Sequence, residues 1–286
     1  MKRPALLPLV AAALAAAAPL AAQFEAPQPS PKATVTQRVG VTDFSVSYSR
    51  PGVKNRVIWG GLVPYDKPWR TGANRATTFS TTDDIEVEGK KLAAGTYSVV
   101  TVPGKETWTV AFNRDLDLWF RTDYDEKKDA LRVVVKPVAL ADSIESFTIV
   151  FRNVTNDGAD LSFNWEKLRV PVAIRVETKS LVLSKGRAAV AAAKAEDWET
   201  PLGVGRYFFN EKLGDPGEAM RMVQRSVATK KGYANTSLMA RILAADGKTA
   251  EAIKAGEEAI ALAKASPDKP NTEPFEKTLA EWKAKK

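Results

Sequence analysis

The sequence contains no cysteine and no histidine. Without cysteine there is no disulfide, no thiolate nucleophile and no lipid-modified cysteine anchor. Without histidine the usual general base, the usual zinc or copper ligand and every Ser-His or Cys-His nucleophile pair are missing. Chemistry by carboxylates alone remains, so the enzymatic alternative is a carboxylate-dependent hydrolase acting on glycans. Long apolar runs are almost as scarce. The one present, Ala5 to Ala22, follows Met1-Lys2-Arg3 and ends in small residues, as a secretory signal peptide does. A membrane anchor is the competing reading, but the run is alanine-rich, carries Pro8 and Pro19, and barely reaches the length a bilayer needs.

Cleavage is therefore expected near Ala22, giving an exported protein, periplasmic or secreted, with no transmembrane segment left. Residues 23–32 are proline-rich and polar and read as an extended tether. The net charge of +8 falls to +6 if Lys2 and Arg3 leave with the leader, a surplus that suits anionic partners. The 286 residues, 44% hydrophobic, leave room for one or two cores.

From residue 33 the pattern has period two. Phe44, Val46 and Tyr48 alternate with serines; Trp108, Val110 and Phe112 alternate with threonine and alanine. Residues 96–113, with Pro103-Gly104 between them, predict a β-hairpin. Further alternating runs occur at 131–135, 147–152, 161–165 and 170–176, so residues 33–178 predict an antiparallel β-sandwich, with a β-barrel as the runner-up. After Thr178 the composition turns to alanine, lysine and glutamate, and residues 179–286 predict an α-helical unit. The unit aligns with itself at an offset of 33, Tyr207 with Ala240, Ala219 with Ala252, Val223 with Gly256 and Ser226 with Ala259, in the manner of a tetratricopeptide repeat. Helices at about 186–196 and 272–282 flank it. Such a unit takes a protein or peptide partner in its groove.

Four runs are distinctive together: Thr36-Gln37-Arg38-Val39-Gly40, Tyr48-Ser49-Arg50-Pro51-Gly52-Val53-Lys54, Trp69-Arg70-Thr71-Gly72-Ala73-Asn74, and Leu92 followed by Gly95-Thr96-Tyr97. In this order and spacing they resemble an exported bacterial family, domain of unknown function 2911, over roughly residues 32–177. The resemblance implies a helical tail and carries no catalytic assignment.

Residues 48–79 hold the candidate site. A loop this long inside a compact domain is functional or disordered, and this one has too many anchors for disorder. Arg50, Lys54, Arg56, Arg70 and Asn74 would hold an anionic group by forked and neutral hydrogen bonds, and Trp59 and Trp69 would stack on a sugar-like body. The plain structural reading is that the tryptophans plug the end of the sandwich and the arginines bind backbone carbonyls. The acids between 115 and 129 read as solvated or ion-paired loop residues, without the glycine or spacing of a calcium loop. Gly247-Lys248-Thr249 and Gly203-Val204-Gly205 lack the rest of a phosphate-binding or dinucleotide loop. No cofactor, no metal and no nucleic-acid partner is expected. The reading is a binding or scaffolding protein of the cell envelope.

Overall fold

The structure, a computed structural model, describes residues 26–119 and 123–284. The expected signal peptide at 1–22 and the first residues of the tether lie outside them. In chain order the strands are β1 (Lys32–Val39), β2 (Thr42–Ser49), β3 (Thr77–Thr81), β4 (Ile85–Val87), β5 (Lys90–Leu92), β6 (Gly95–Pro103), β7 (Trp108–Asn113), β8 (Asp129–Val135), β9 (Val138–Arg152) and β10 (Gly158–Arg175). They form two antiparallel sheets, ordered β1-β2-β3-β6-β7-β8 and β5-β4-β10-β9. The sheets do not close into one, so the fold is a sandwich and not a barrel. Period-two residues explain the layers: Phe44, Val46, Phe79, Val99, Val110 and Phe112 of the larger sheet are buried against Ile149, Leu161, Phe163 and Val172 of the smaller.

The hairpin at 96–113 forms as β6 and β7, paired from Ser98 with Asn113 to Pro103 with Trp108. The runs at 161–165 and 170–176 are not two strands. They are one bent strand, β10, whose register against β9 slips at Glu166, a residue at φ +51°. A bulge adds a residue and bends the strand without breaking it. Pro171 falls between the end of the β9 pairing at Arg169 and the start of the β4 pairing at Ile174, where no ladder needs its missing N–H.

The helices are α1 (Thr178–Ala192), α2 (Glu199–Glu211), α3 (Glu218–Thr229), α4 (Tyr233–Ala245), α5 (Thr249–Ala265) and α6 (Glu273–Ala284). The first begins at Thr178, well before the expected residue 186, because it is packed on the sandwich. Leu181 joins the sandwich core, and Lys185 Nζ donates to Asp83 Oδ2 at 2.7 Å and to the Val41 carbonyl at 3.0 Å. Thr42 and Thr82 also donate to Asp83.

α2 with α3 and α4 with α5 form two helical hairpins, joined through α3 and α4. The expected pairing of Tyr207 with Ala240 does not hold: Ala240 is buried and Tyr207 is 48% exposed. The close crossing in the first hairpin is at Gly205, where a Cβ would stand 3.0 Å from Val223 Cγ2 and 3.1 Å from the Ala219 carbonyl. The physical cause is loop length, since residues 212–217 join α2 to α3 and only 246–248 join α4 to α5. A constant offset cannot register both helices of both units. Arg187 on α1 holds Glu218 of α3 through two hydrogen bonds, 2.7 and 2.9 Å.

Candidate functional site

The excursion between β2 and β3 closes one end of the sandwich by pairing with both sheets. Its first limb bonds to the edge strand β9, Val53 N to the Glu145 carbonyl at 2.7 Å and Phe147 N to the Pro51 carbonyl at 2.9 Å. Its second limb bonds to β6, where Trp69 and Thr101 exchange N–H···O bonds of 2.7 and 2.9 Å. The loop is therefore a strap across the gap between the two sheets. To make its turns, Lys54, Asn55, Asp66, Thr71 and Asn74 all take positive φ. Thr71 is the strained one, being β-branched, fully buried and at φ +55°, which costs about 1–3 kcal/mol. Its position explains the strain. Thr71 reverses the chain between Trp69, which points into the core, and Ala76, whose N–H bonds the Leu118 carbonyl at 2.9 Å. The Thr71 Oγ1 bond to Thr101 Oγ1 (3.2 Å) and the Thr77 Oγ1 bond to the Thr71 carbonyl (2.5 Å) hold the turn.

Trp59 and Trp69 meet Trp108, Phe147 and Trp165 in one aromatic cluster. Trp69 stacks on Trp165 at 5.7 Å and meets Phe147 edge-on at 5.3 Å; Trp59 meets Trp108 edge-on at 4.9 Å. Trp69 is only 9% exposed, and its Nε1 donates to the Gly72 carbonyl at 3.1 Å. The two rings expected to face a sugar pack against aromatic partners from three strands, Trp69 buried and Trp59 half-buried. Ring quadrupoles favour such edge-to-face packing.

The basic residues divide into clamps and free heads. Arg50 spans to β9, donating to the Phe147 carbonyl at 3.2 Å and to Thr148 Oγ1 at 2.9 Å. Asn74 Nδ2 reaches the Ser30 carbonyl and Ser49 Oγ, each at 3.2 Å, and so pins the segment before β1. Lys54 uses its backbone N–H on Glu145 and leaves its side chain exposed. Arg56 donates to the Val53 carbonyl at 3.1 Å and the Gly52 carbonyl at 2.5 Å; Arg70 donates to the Trp119 carbonyl. Among the described residues, none of Arg50, Arg56 and Arg70 is in an ion pair.

Arg56 and Arg70 border a cleft of about 340 Å³ whose walls include Pro51, Leu62, Val63, Pro64 and Pro68, with Trp69 and Trp165 at its floor. Among the described residues no carboxylate lines it. Partial burial lowers the pKa of the Arg70 guanidinium. Of the seven expected site residues, the structure brings Arg56, Trp69 and Arg70 to this cleft and leaves Arg50, Lys54, Trp59 and Asn74 outside its lining. Trp165 escaped sequence reasoning because it comes from β10, distant in the chain and indistinguishable there from any core tryptophan.

The acidic segment after β7 lies over the outer face of β6 and β7, with Leu118 packed on Ala76, Val100 and Ala111. Several of its charges are paired or hydrogen-bonded. Asp115 binds Lys128 at 2.6 Å, Glu126 binds Arg132 at 2.5 Å, and Asp129 accepts from Tyr124 at 2.6 Å and from Asn113 at 2.7 Å. One pair, Arg75 with Asp117 at 3.7 Å, links this segment to the basic loop. Among the described residues no group of three acids is placed to hold a metal, and no helix is long and apolar enough to cross a membrane.

Together these features define a two-sheet β-sandwich protein with a helical C-terminal unit and a strapped, cation-lined end. Residues 30–174 match a family model described as a protein of unknown function, DUF2911, and the chain belongs to that family. No curated protein and no solved structure matches the chain.

Proposed function

We propose that this is an exported binding protein of the cell envelope, and that the cleft at the strapped end takes an organic anion with an apolar body. The observation that carries the reading is that two guanidinium groups, Arg56 and Arg70, share a lining with apolar side chains and, among the described residues, no carboxylate. A guanidinium in partly dry surroundings gains most from an anion that can accept two parallel hydrogen bonds. Prolines and tryptophan edges favour a hydrocarbon or aromatic body over a sugar ring, since no ring face is offered. The cleft volume is at the lower end of ordinary ligand sites, and strain held at the neighbouring Thr71 is the kind of backbone cost that accompanies such sites.

The test is a thermal-shift titration of residues 23–286 with medium-chain carboxylates and aryl phosphates, each beside its neutral alcohol. A ligand at a hundred times its Kd raises stability by about 2.7 kcal/mol. The anions are expected to raise Tm and the alcohols not to. The shift should vanish in an Arg56→Ala, Arg70→Ala double variant that keeps Trp69. An equal shift in that variant, or none in the wild type, removes the proposal. Export has its own check: protein recovered from the envelope fraction should begin near Gln23, and a full-length cytoplasmic chain contradicts it.

A further inference from the structure

The outer face of the larger sheet carries a pattern that the cleft does not use. Strand register aligns Thr34 with Ser47, Ser47 with Thr78, and Thr78 with Ser98, so four adjacent strands contribute one row of hydroxyls. Two residues along, Thr36, Ser45, Ser80 and Thr96 form a second row on the same four strands. Neighbouring strands lie about 4.8 Å apart and the two rows about 7 Å apart, which makes a flat grid of short donors and acceptors.

Two pairs within the grid bond to each other, Thr34 to Ser47 at 3.2 Å and Ser80 to Thr96 at 2.9 Å. The first row ends on Ser98, which is fully buried, so that row faces solvent at Thr34, Ser47 and Thr78, and only the second row continues at the surface onto β6, through Thr96.

The grid is open at both ends. One groove, about 560 Å³, is lined by the second row with Thr82, Arg38 and Asp43. The other, about 440 Å³, is lined by Ser47 and Thr78 with Lys32, Asn74, Arg75 and Trp119. Trp119 is 43% exposed even though the Arg75 guanidinium stands 4.6 Å from its ring centre. It is thus an aromatic surface outside the cluster in which half-buried Trp59 and buried Trp69 are packed. Two of the cations on this face are paired locally, Arg38 with Asp43 at 3.4 Å and Arg75 with Asp117 at 3.7 Å, and Lys32 is the further cation in the lining.

We infer that this face binds a neutral, hydroxyl-rich glycan laid across β1, β2, β3 and β6, with Trp119 against a sugar ring at one end. Sugar hydroxyls exchange hydrogen bonds with serine and threonine at every strand crossed, and the indole gives an apolar face to the ring's C–H side. The two ion pairs set this site apart from the cleft of Arg56 and Arg70, which has none: one takes a neutral polymer, the other a small anion.

The experiment is native affinity electrophoresis of residues 23–286 in gels containing hydroxyethyl cellulose, laminarin or galactomannan, with anionic alginate as the contrasting polymer. At least one neutral gel is expected to retard the wild type. Trp119→Ala and, separately, Ser80→Arg should each weaken that retardation tenfold or more while Tm stays within a few degrees, as surface changes do. The Arg56→Ala, Arg70→Ala variant should be retarded like the wild type, which keeps this result independent of the anion cleft. Three results would overturn the inference: no neutral polymer retards the protein, only alginate does, or the still-folded Trp119→Ala and Ser80→Arg variants bind as tightly as the wild type.

Discussion

Replacing Trp69 by alanine separates a tryptophan that plugs the sandwich from one that serves a ligand. The ring contacts Trp59, Trp108, Trp165 and Phe147 at centroid distances of 5.9, 6.5, 5.7 and 5.3 Å, and its Nε1 donates to the Gly72 carbonyl. Truncating a buried aromatic to alanine costs about 3–5 kcal/mol through lost transfer energy and the cavity left behind. The loss of a hydrogen bond adds about 1 kcal/mol. A domain of this size loses roughly 2–4 °C per kcal/mol, so Tm should fall by about 10 °C or more. Trp69→Phe keeps most of the ring and loses the Nε1 bond, and should fall by about a third as much. Both variants are compared with wild type by calorimetry and by near-ultraviolet circular dichroism, which reports the packed tryptophans. A Tm change below about 2 °C for Trp69→Ala, with the dichroism band unchanged, would refute the buried cluster and return Trp69 to the solvent.

Acid sensitivity should trace to two carboxylates that join elements. Arg187 hydrogen bonds hold the Glu218 carboxyl below its ordinary value against the opposing effect of burial. At Asp83 burial pushes upward, but the Lys185, Thr42 and Thr82 hydrogen bonds together outweigh it, and this carboxyl too is lowered. A depressed folded pKa gives stability that is complete above the unfolded values, about 3.9 for Asp and 4.3 for Glu, and is lost as pH falls through the folded ones. Wild-type Tm should therefore decline below about pH 4 more steeply than that of Asp83→Asn or Glu218→Gln, each of which starts lower at pH 7; parallel curves would contradict the assignment. Gly205→Leu should overpack the crossing of α2 and α3 and cost about 1–3 kcal/mol, whereas Gly203→Leu, with nothing within 4 Å of its Cβ position, should not; equal melting curves would show that the crossing is elsewhere.

Local pattern determined a great deal. Alternation at Phe44, Val46 and Tyr48, and at Trp108, Val110 and Phe112, specifies strands and which side of each is buried, because side chains on a strand point to opposite faces. The alanine-rich composition after Thr178 specifies helices, and four motifs in order were enough to place the family. Single-residue events were less legible. The bulge at Glu166 depends on how β9 and β10 pair, and the helix crossing at Gly205 depends on a connecting loop whose length shifts the repeat.

The candidate site was legible as a loop and not as a set of contacts. Arg56, Trp69 and Arg70 are near one another in sequence, yet Trp69 faces the core and Arg70 the cleft, because the strap must pair with β6 on one side. Composition alone assigns tryptophan equally to a ligand platform or to a plug. Packing decided between them: Trp108, Phe147 and Trp165 arrive from three different strands and fill the space beside Trp59 and Trp69. The hydroxyl rows show the same division. Each strand's sequence determines which of its serines and threonines point outward, but only the pairing of β1, β2, β3 and β6 brings them into line, since register is a property of neighbouring strands and not of any one of them.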